Sequence, residues 1–173
     1  MRLFLALLFA FQLFFHSSSA AAASSQYIKT KYIYNFFKFI EWPDTLSKDI
    51  YRVCIVGTDS VADELHTLSG RIPRNGTPIF IETGINNSNL KNCHLVYIST
   101  SESKFLTSIL SQIGNAPVVT VSSIEDFTLK GGIIEFKRYG NVIRFNIDLK
   151  QAHSSNLRFR AKLIEVAEKV IMP

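Results

Sequence analysis

From Asp49 onward, short apolar runs alternate with stretches of helical periodicity, and this alternation is the feature that most limits how the chain can fold. The apolar runs predict successive strands at Tyr51–Val56 and at residues 78–82, 94–98 and 118–121. Strands that alternate with helices form right-handed crossover units and a parallel sheet. We therefore predict an α/β fold, a three-layer sandwich with a mostly parallel sheet.

The C-terminal part of the chain has a different pattern. Residues 133–138 and Val142–Asp148 are joined by Tyr-Gly-Asn, which predicts a C-terminal antiparallel hairpin at the edge of the sheet. Gly131 and Gly132 precede this hairpin and predict a structural turn. Helices are predicted at residues 61–69, with Asp59 or Ser60 as the cap, and at residues 101–113, 123–129 and 158–171.

An aromatic segment precedes the first strand. Residues 24–41 predict a helix, with Ser24 or Ser25 as the cap, that is apolar around most of its circumference and ends before Pro43. This helix either packs into the core, with Trp42 closing its end, or offers part of its surface to a second copy or to a partner. Aromatic side chains suit the second role because they bury a large area at low entropic cost. The candidate surface residues are Phe36, Phe39, Trp42 and Pro43.

The first residues have the pattern of a secretory signal. Arg2 provides a positive start, residues 3–15 are an apolar run, and residues 17–23 are small or polar. The apolar run, about thirteen residues, is too short for a helix that spans a bilayer. We expect residues 1–23 to be a signal peptide cleaved after Ala23, with cleavage after Ala20 or a retained anchor as alternatives. Residues 24–173 would then form a single domain outside the cytoplasm.

The net charge and the cysteine content further limit the classes of function that the chain can have. The formal net charge is +5 at pH 7, and the basic residues are scattered along the chain, so nucleic-acid binding is not expected. The two cysteines are Cys54 and Cys93. In an oxidising compartment such a pair predicts a disulfide bond, and two buried free thiols are the alternative.

Polar residues follow several predicted strands at the ends where parallel sheets usually bind ligands. The residues that could bind a small polar ligand or an anion there are Thr58, Asp59, Ser99, Thr100 and Ser101. Serine, threonine and aspartate also cap helices, and that structural role is the alternative explanation for all of them.

The sequence lacks the motifs of the common catalytic and cofactor sites. Gly57 is not followed by the glycines of a dinucleotide-binding loop, and no phosphate-binding loop is present. The spacing of His66, His94 and His153 does not match a metal site, and no serine lies in a Gly-x-Ser-x-Gly motif. We therefore expect no enzymatic activity, no cofactor and no metal.

Six segments occur in an order that resembles the YfiR-like family of bacterial periplasmic proteins. They read YNFFKFIEWP, RVCIVGTD, CHLVYIS, PVVTVSSIEDF, GGIIEF and VIRFNIDLKQAHSSNLRFRAKLIEVA, and they cover the chain from Tyr27 onward. The most specific are Glu41-Trp42-Pro43, Gly131-Gly132 before a strand, and the Asn-Ile-Asp-Leu motif that starts at Asn146.

The resemblance implies a soluble, dimeric regulator in the periplasm. Such a protein represses an inner-membrane diguanylate cyclase by contacting its periplasmic domain, and so controls cyclic-di-GMP and biofilm formation. An outer-membrane lipoprotein that sequesters the repressor is a further partner. A periplasmic small-ligand-binding sensor domain, acting with a membrane kinase or cyclase, is the alternative.

The resemblance also bears on the cysteines. Cys54 and Cys93 match the family's bridge position. The second cysteine pair that some members carry in the C-terminal half is missing here. A structural bridge is therefore the plainer interpretation of the pair, and a redox-switched bridge is the alternative.

Overall fold

The computed structural model describes residues 17–46, 49–68, 76–83 and 87–173. In chain order, the elements are α1 (Ser17–Phe36), β1 (Ile40–Glu41), β2 (Tyr51–Val56), α2 (Ser60–Leu65), β3 (Ile79–Glu82), β4 (Leu95–Ile98), α3 (Leu106–Ile113), β5 (Val119–Ser122), β6 (Ile134–Tyr139), β7 (Val142–Asp148), α4 (Leu149–Ser154), β8 (Arg158–Phe159), α5 (Ala161–Glu165) and β9 (Lys169–Ile171). Short 3-10 helices lie at His66–Leu68, Asn87–Asn92, Thr100–Phe105 and Thr128–Lys130.

The main sheet has seven strands in the order β3-β2-β4-β5-β6-β7-β9. Strands β3, β2, β4, β5 and β6 are parallel, β7 is antiparallel to β6, and β9 is parallel to β7. The predicted mostly parallel sheet with a C-terminal antiparallel hairpin is therefore confirmed. Because β3 lies on one side of β2 and β4 on the other, the strand order reverses between β2 and β4.

Helices cover the sheet on both faces. On one face, α1 packs against β6 and β7 through Phe36, whose ring lies 5.4 Å from that of Phe145 and 6.2 Å from that of Phe136. On the other face, Leu106, Ile109 and Ile113 of α3 join a separate buried cluster with residues of β2 and β4. Two apolar layers around one sheet are what the alternating pattern requires.

The first helix differs from the prediction at both of its ends. Helix α1 begins at Ser17 rather than at a cap near Ser24, and it ends at Phe36 rather than at Glu41. After a turn, Ile40 and Glu41 form β1, which pairs antiparallel with β8. The helical periodicity of residues 37–41 is thus overridden by pairing with a strand far away in sequence. Cleavage of the expected signal peptide stays a prediction, since residues 1–16 lie outside the described residues.

The predicted closing helix at residues 158–171 is wrong. This segment contains β8, the short helix α5 and β9, and Val170 pairs with Ile147 of β7. An unpredicted helix, α4, precedes it, and the carboxylate of Asp148 caps α4 by accepting a hydrogen bond from the backbone N–H of Gln151 at 2.9 Å. Asn156 then adopts a left-handed conformation, φ 54°, which turns the chain toward β8.

Three other predicted helices are only partly correct. Residues 101–113 form a 3-10 helix over Thr100–Phe105 followed by α3. The predicted helix at 123–129 is reduced to the 3-10 turn Thr128–Lys130. Predicted helix 61–69 starts as expected, with Asp59 as the cap of α2, but α2 ends at Leu65 and a 3-10 turn continues to Leu68.

The disulfide between Cys54 and Cys93 ties the centre of β2 to the residue before His94 and β4, with Cα atoms 6.0 Å apart. Both cysteines are buried against the α3 cluster. A bridge that closes a sequence separation of 39 stabilises the fold by about 4 kcal/mol in the chain-entropy model.

The two glycines before β6 are required for different structural reasons. Gly131 has a φ of +94°, in the left-handed region that glycine adopts without strain. Gly132 donates its backbone N–H to the carbonyl oxygen of Phe127 at 2.9 Å. A Cβ atom at Gly132 would lie 2.1 Å from the ring of Phe127, a side chain that is fully buried. The chain can therefore pass this ring only without a side chain at position 132.

Gly132→Ala should lower the free energy of unfolding by about 2–3 kcal/mol or more, because the added methyl group overlaps a ring that cannot move without disturbing the core. Gly140→Ala is the matched control. It places a methyl group in open space at a φ of +58°, and should cost about 1 kcal/mol through backbone strain alone. Urea denaturation followed by tryptophan fluorescence measures both, and equal losses would contradict this packing explanation.

Candidate functional site

The predicted ligand-binding residues meet where the strand order reverses, between the carboxyl ends of β2 and β4. Thr58 and Asp59 follow β2, and Ser99, Thr100 and Ser101 follow β4. Parallel α/β sheets most often bind ligands at such a point because two adjacent loops diverge there and leave a crevice. The structure brings these predicted residues together at this point, and the contacts among them decide what the site can bind.

Asp59 has both carboxylate oxygens engaged within the protein. Its Oδ1 accepts hydrogen bonds from the backbone N–H groups of Val61 and Ala62 at 3.0 and 2.9 Å. Its Oδ2 accepts from the hydroxyl of Tyr97 at 3.0 Å and from the backbone N–H of Thr100 at 3.1 Å. The carboxylate therefore joins β2, α2 and β4, which leaves it little capacity to bind a ligand.

Tyr97 is a buried partner that the sequence reasoning missed. Its side chain points from β4 into the core beneath α1 and is fully buried. Burial raises the pKa of Tyr97, and the charge and hydrogen bond of Asp59 raise it further. The phenol thus stays protonated and keeps donating to Asp59. The signal in the sequence was the alternation of HLVYI, which places Tyr97 on the same face as Leu95.

The crevice is closed from outside by two side chains that lie over Gly57. The hydroxyl of Ser101 accepts a hydrogen bond from the backbone N–H of Thr58 and donates one to Oε1 of Glu102, both at 3.1 Å. A Cβ at Gly57 would lie only 2.5 Å from the Ser101 hydroxyl and from Cγ of Glu102. Gly57 thus leaves room for these two side chains to lie across the end of β2.

The neighbouring serines differ in how far their hydroxyls are used within the fold. Ser122 donates its hydroxyl to the carbonyl of Ile98 at 2.7 Å and accepts from the backbone N–H of Ile124 at 3.0 Å. Ser99 is fully buried, and its hydroxyl finds no partner within the parts of the chain that the structure describes. An open cleft of about 460 Å³ borders this region beside Thr58, but neither Asp59 nor Ser99 lines it.

Lys29 brings a positive charge from α1 to the same edge of the sheet. Its ammonium group donates to the hydroxyl of Ser123 at 2.8 Å. Burial lowers the pKa of Lys29, and the charge of Asp59 opposes that shift. The sequence did not predict Lys29 as a residue of this site. The local sequence of a helix does not show which of its residues will contact a segment 94 positions later.

The candidate partner surface divides into buried and half-buried residues. Phe36 is buried, and Trp42 is nearly so, with its indole N–H donating to the backbone carbonyl of His94 at 3.0 Å. Trp42 also stacks on Phe37, with ring centroids 5.5 Å apart. Phe39 and Pro43 are half-buried. Any partner surface in this segment must therefore be built on Phe39 and Pro43, while Phe36 and Trp42 belong to the core of the chain.

Two further features of the described residues bear on function. Within residues 17–46, 49–68, 76–83 and 87–173, no group of three or more metal-ligating side chains lies close enough to hold a metal ion. In the same ranges, no helix has the length and apolar character needed to cross a membrane.

Asp59→Ala should lower the free energy of unfolding by about 2–4 kcal/mol, since it removes the α2 cap and the carboxylate acceptor of the buried Tyr97 hydroxyl and of the Thr100 N–H. Asp59→Asn is the matched control: its carbonyl oxygen still caps α2 but its NH2 cannot accept from Tyr97 and Thr100, so it should cost about 1 kcal/mol less than Asp59→Ala. Chemical denaturation measures both. An Asp59→Ala protein as stable as the parent would show that the carboxylate does not hold the strand ends together.

Comparison with known proteins gives a family match and a similar solved structure for this chain. The sequence model of the YfiR/HmsC-like family matches residues 26–168. No curated protein matches the chain. Among solved structures, the chain is similar to a conserved domain protein from Vibrio cholerae, with a TM-score of 0.53 and 10% sequence identity. The match covers 85% of this chain and 60% of that one, and at such low identity it shows the fold alone. Since the family match spans most of its length, the chain belongs to the YfiR/HmsC-like family.

Proposed function

We propose that this chain is a periplasmic regulatory protein that inhibits an inner-membrane diguanylate cyclase by direct contact with its periplasmic domain. By that contact it limits cyclic-di-GMP and biofilm formation. The observation that carries the proposal is the family match over residues 26–168. The domain is residues 24–173, after removal of the signal peptide at 1–23, and it works as a homodimer that an outer-membrane lipoprotein can sequester.

The contacts at the strand ends support regulation by contact rather than by chemistry. Catalysis at a reversal of strand order needs ionisable groups that are free to reach a substrate. Here Asp59 is engaged by donors on both oxygens, and Tyr97 is buried and held protonated. These two ionisable groups at the strand ends are therefore part of the fold.

The disulfide supports a location outside the cytoplasm. Bridges of this kind persist in oxidising compartments and are rare where thiols are kept reduced. Because Cys54 and Cys93 are both buried within the α3 cluster, access of a reductant is limited, and a structural bridge fits better than a redox-switched one.

The small-ligand sensor is the weaker alternative. It requires Thr58, Asp59 and the serines after β4 to receive a ligand, yet Ser101 and Glu102 lie over Gly57 and close that crevice. A ligand would first have to break the hydrogen bonds that cap α2.

The contact surface is expected beside β1, where the half-buried Phe39 and Pro43 lie next to the ion pair of Glu41 with Arg160, 2.9 Å long. Half-buried aromatic groups beside a charged rim are common at protein interfaces. Phe39→Ser should therefore weaken the association with the cyclase, by about tenfold or more if Phe39 is an anchor residue.

The test uses a strain that lacks the gene and expresses a tagged copy. Deletion should raise cyclic-di-GMP, the parent copy should restore it, and the cyclase should co-purify with the tagged protein from solubilised membranes. Phe39→Ser should fail in both assays while remaining folded, although the loss of its partial packing against the core should lower the thermal midpoint by several degrees. Phe80→Ser, which changes an exposed aromatic residue on the edge strand β3, is the control and should behave like the parent. Unchanged cyclic-di-GMP on deletion, with no cyclase recovered, would overturn the proposal.

A further inference from the structure

His94 lies directly before β4, beside the segment that carries the proposed contact surface. Its backbone N–H donates to the carbonyl of Arg52 at 2.9 Å, and its carbonyl accepts from the backbone N–H of Val119 at 2.9 Å. The main chain of His94 is thus fixed between β2 and β5. Only 3% of the residue is exposed. Histidine is the side chain whose charge changes closest to neutral pH, so a buried imidazole beside a contact surface is a candidate pH-sensitive element.

A hydrogen bond from the backbone requires the neutral form of the His94 ring. The Nδ1 atom accepts from the backbone N–H of Arg52 at 3.1 Å. A ring nitrogen that accepts a hydrogen bond carries a lone pair, whereas both nitrogens of an imidazolium are donors. Proton uptake at Nδ1 would therefore set two N–H donors against each other inside a buried site. The contacts of the folded chain bind the neutral ring and not its protonated form.

The charged groups around the ring do not favour an additional positive charge. The charged side chains that line the cleft at His94, or extend from β2 and β3 beside it, are Lys38, Glu41, Arg160, Arg52 and Glu82. Each of the two carboxylates is already ion-paired at 2.9 Å, one with Arg160 and the other with Arg52. Lys38 is a further ammonium group in this set. None of these described groups therefore offers an imidazolium an unpaired carboxylate.

His94 holds Trp42 through two separate contacts. Its ring lies 5.7 Å from the indole ring at an interplanar angle of 71°, an edge-to-face arrangement. Its backbone carbonyl accepts the hydrogen bond from the indole N–H at 3.0 Å. The Tyr51 ring packs against both, 5.3 Å from the imidazole and 5.4 Å from the indole. Because Pro43 directly follows Trp42, a displacement of the indole also displaces the segment that carries the proposed contact surface.

We propose that His94 is an acid-sensitive anchor of the contact surface around Phe39 and Pro43, an inference that rests on the proposed function. The neutral ring holds Trp42 in place. Protonation releases the ring from the N–H of Arg52, loosens Trp42 and weakens the association with the cyclase. The proton comes from water through an open cleft of about 510 Å³ that His94 and Phe39 both line. An ordinary histidine takes up a proton at about pH 6.5, so the association is strong at neutral pH and is lost as the pH falls.

His94→Asn removes the titration while it keeps an acceptor for the N–H of Arg52. The side-chain oxygen of asparagine accepts a hydrogen bond and takes up no proton in this pH range. His66→Asn, at an exposed histidine after α2, is the matched control. His153→Asn is a second control, because His153 is exposed and lines another cleft beside Trp42. Both controls should keep the acid response of the parent.

Hydrogen exchange of the Trp42 indole N–H measures how often its bond to the His94 carbonyl opens. The chain has one tryptophan, so its indole ¹H–¹⁵N signal is unique. At about pH 7.5 the parent and His94→Asn should exchange at the same rate, and at about pH 5 the parent should exchange about tenfold faster. Comparison of the two proteins at one pH cancels the intrinsic pH dependence of exchange. Equal rates at both pH values would overturn the proposal.

The imidazole ¹⁵N signals of the parent provide a measurement that needs no substitution at His94. They show the pH at which His94 takes up its proton, and the faster exchange of the Trp42 indole should have the same midpoint. If the indole exchanged at an unchanged rate after His94 became protonated, the ring would not be an anchor and the proposal would fail.

Co-purification at two pH values tests the link to the partner. The tagged parent should recover the cyclase at about pH 7.5 and about tenfold less of it at about pH 5.5, whereas His94→Asn should recover the same amount at both. Undiminished recovery by the parent in acid would contradict the link between His94 and the contact surface. If no cyclase were recovered at either pH, the proposed function would fail, and the exchange rates would still decide whether His94 is acid-sensitive.

Discussion

The carboxylate of Asp59 holds together the part of the molecule where an α/β sheet is usually open. It caps α2, receives the Tyr97 hydroxyl from the middle of the core and binds the backbone after β4. Without it, the buried Tyr97 hydroxyl would lose its carboxylate acceptor, and the backbone after β4 would lose its link to the loop after β2. The connection between the ends of β2 and β4 therefore depends on one side chain in the loop after β2.

The engagement of Asp59 at the strand ends limits what this α/β architecture can bind there. Sheets with a reversal of strand order typically use the crevice at that point for substrates or cofactors. In this chain the crevice is filled by the protein's own donors and covered by Ser101 and Glu102 above Gly57. The surface segment around the half-buried Phe39 and Pro43 remains available for contact. A member of the YfiR/HmsC-like family with this distribution is suited to recognising other molecules by contact.

Local patterns predicted the elements whose cause is local. The central strands, the cap at Asp59 and the turn before β6 follow from apolar runs, capping chemistry and a glycine pair. The end of α1 and the segment after Asn156 could not be predicted in that way, because Ile40 pairs with Phe159 and Val170 with Ile147. Such pairings reassign residues that have helical periodicity on their own. The same limit applies to the site, since the partners of Asp59 on β4 lie about 40 positions later in the sequence.

The most direct test of the account is a titration of detergent-solubilised, full-length diguanylate cyclase with the purified mature chain, measured as the rate of cyclic-di-GMP formation. Both sides of the enzyme are accessible in detergent, so contact with the periplasmic domain can be read at the active site. We expect the rate to fall and to reach its minimum near a stoichiometric ratio, with Asp59→Asn acting like the parent. A rate that does not change at saturating protein would contradict the claim that this chain works by touching the enzyme.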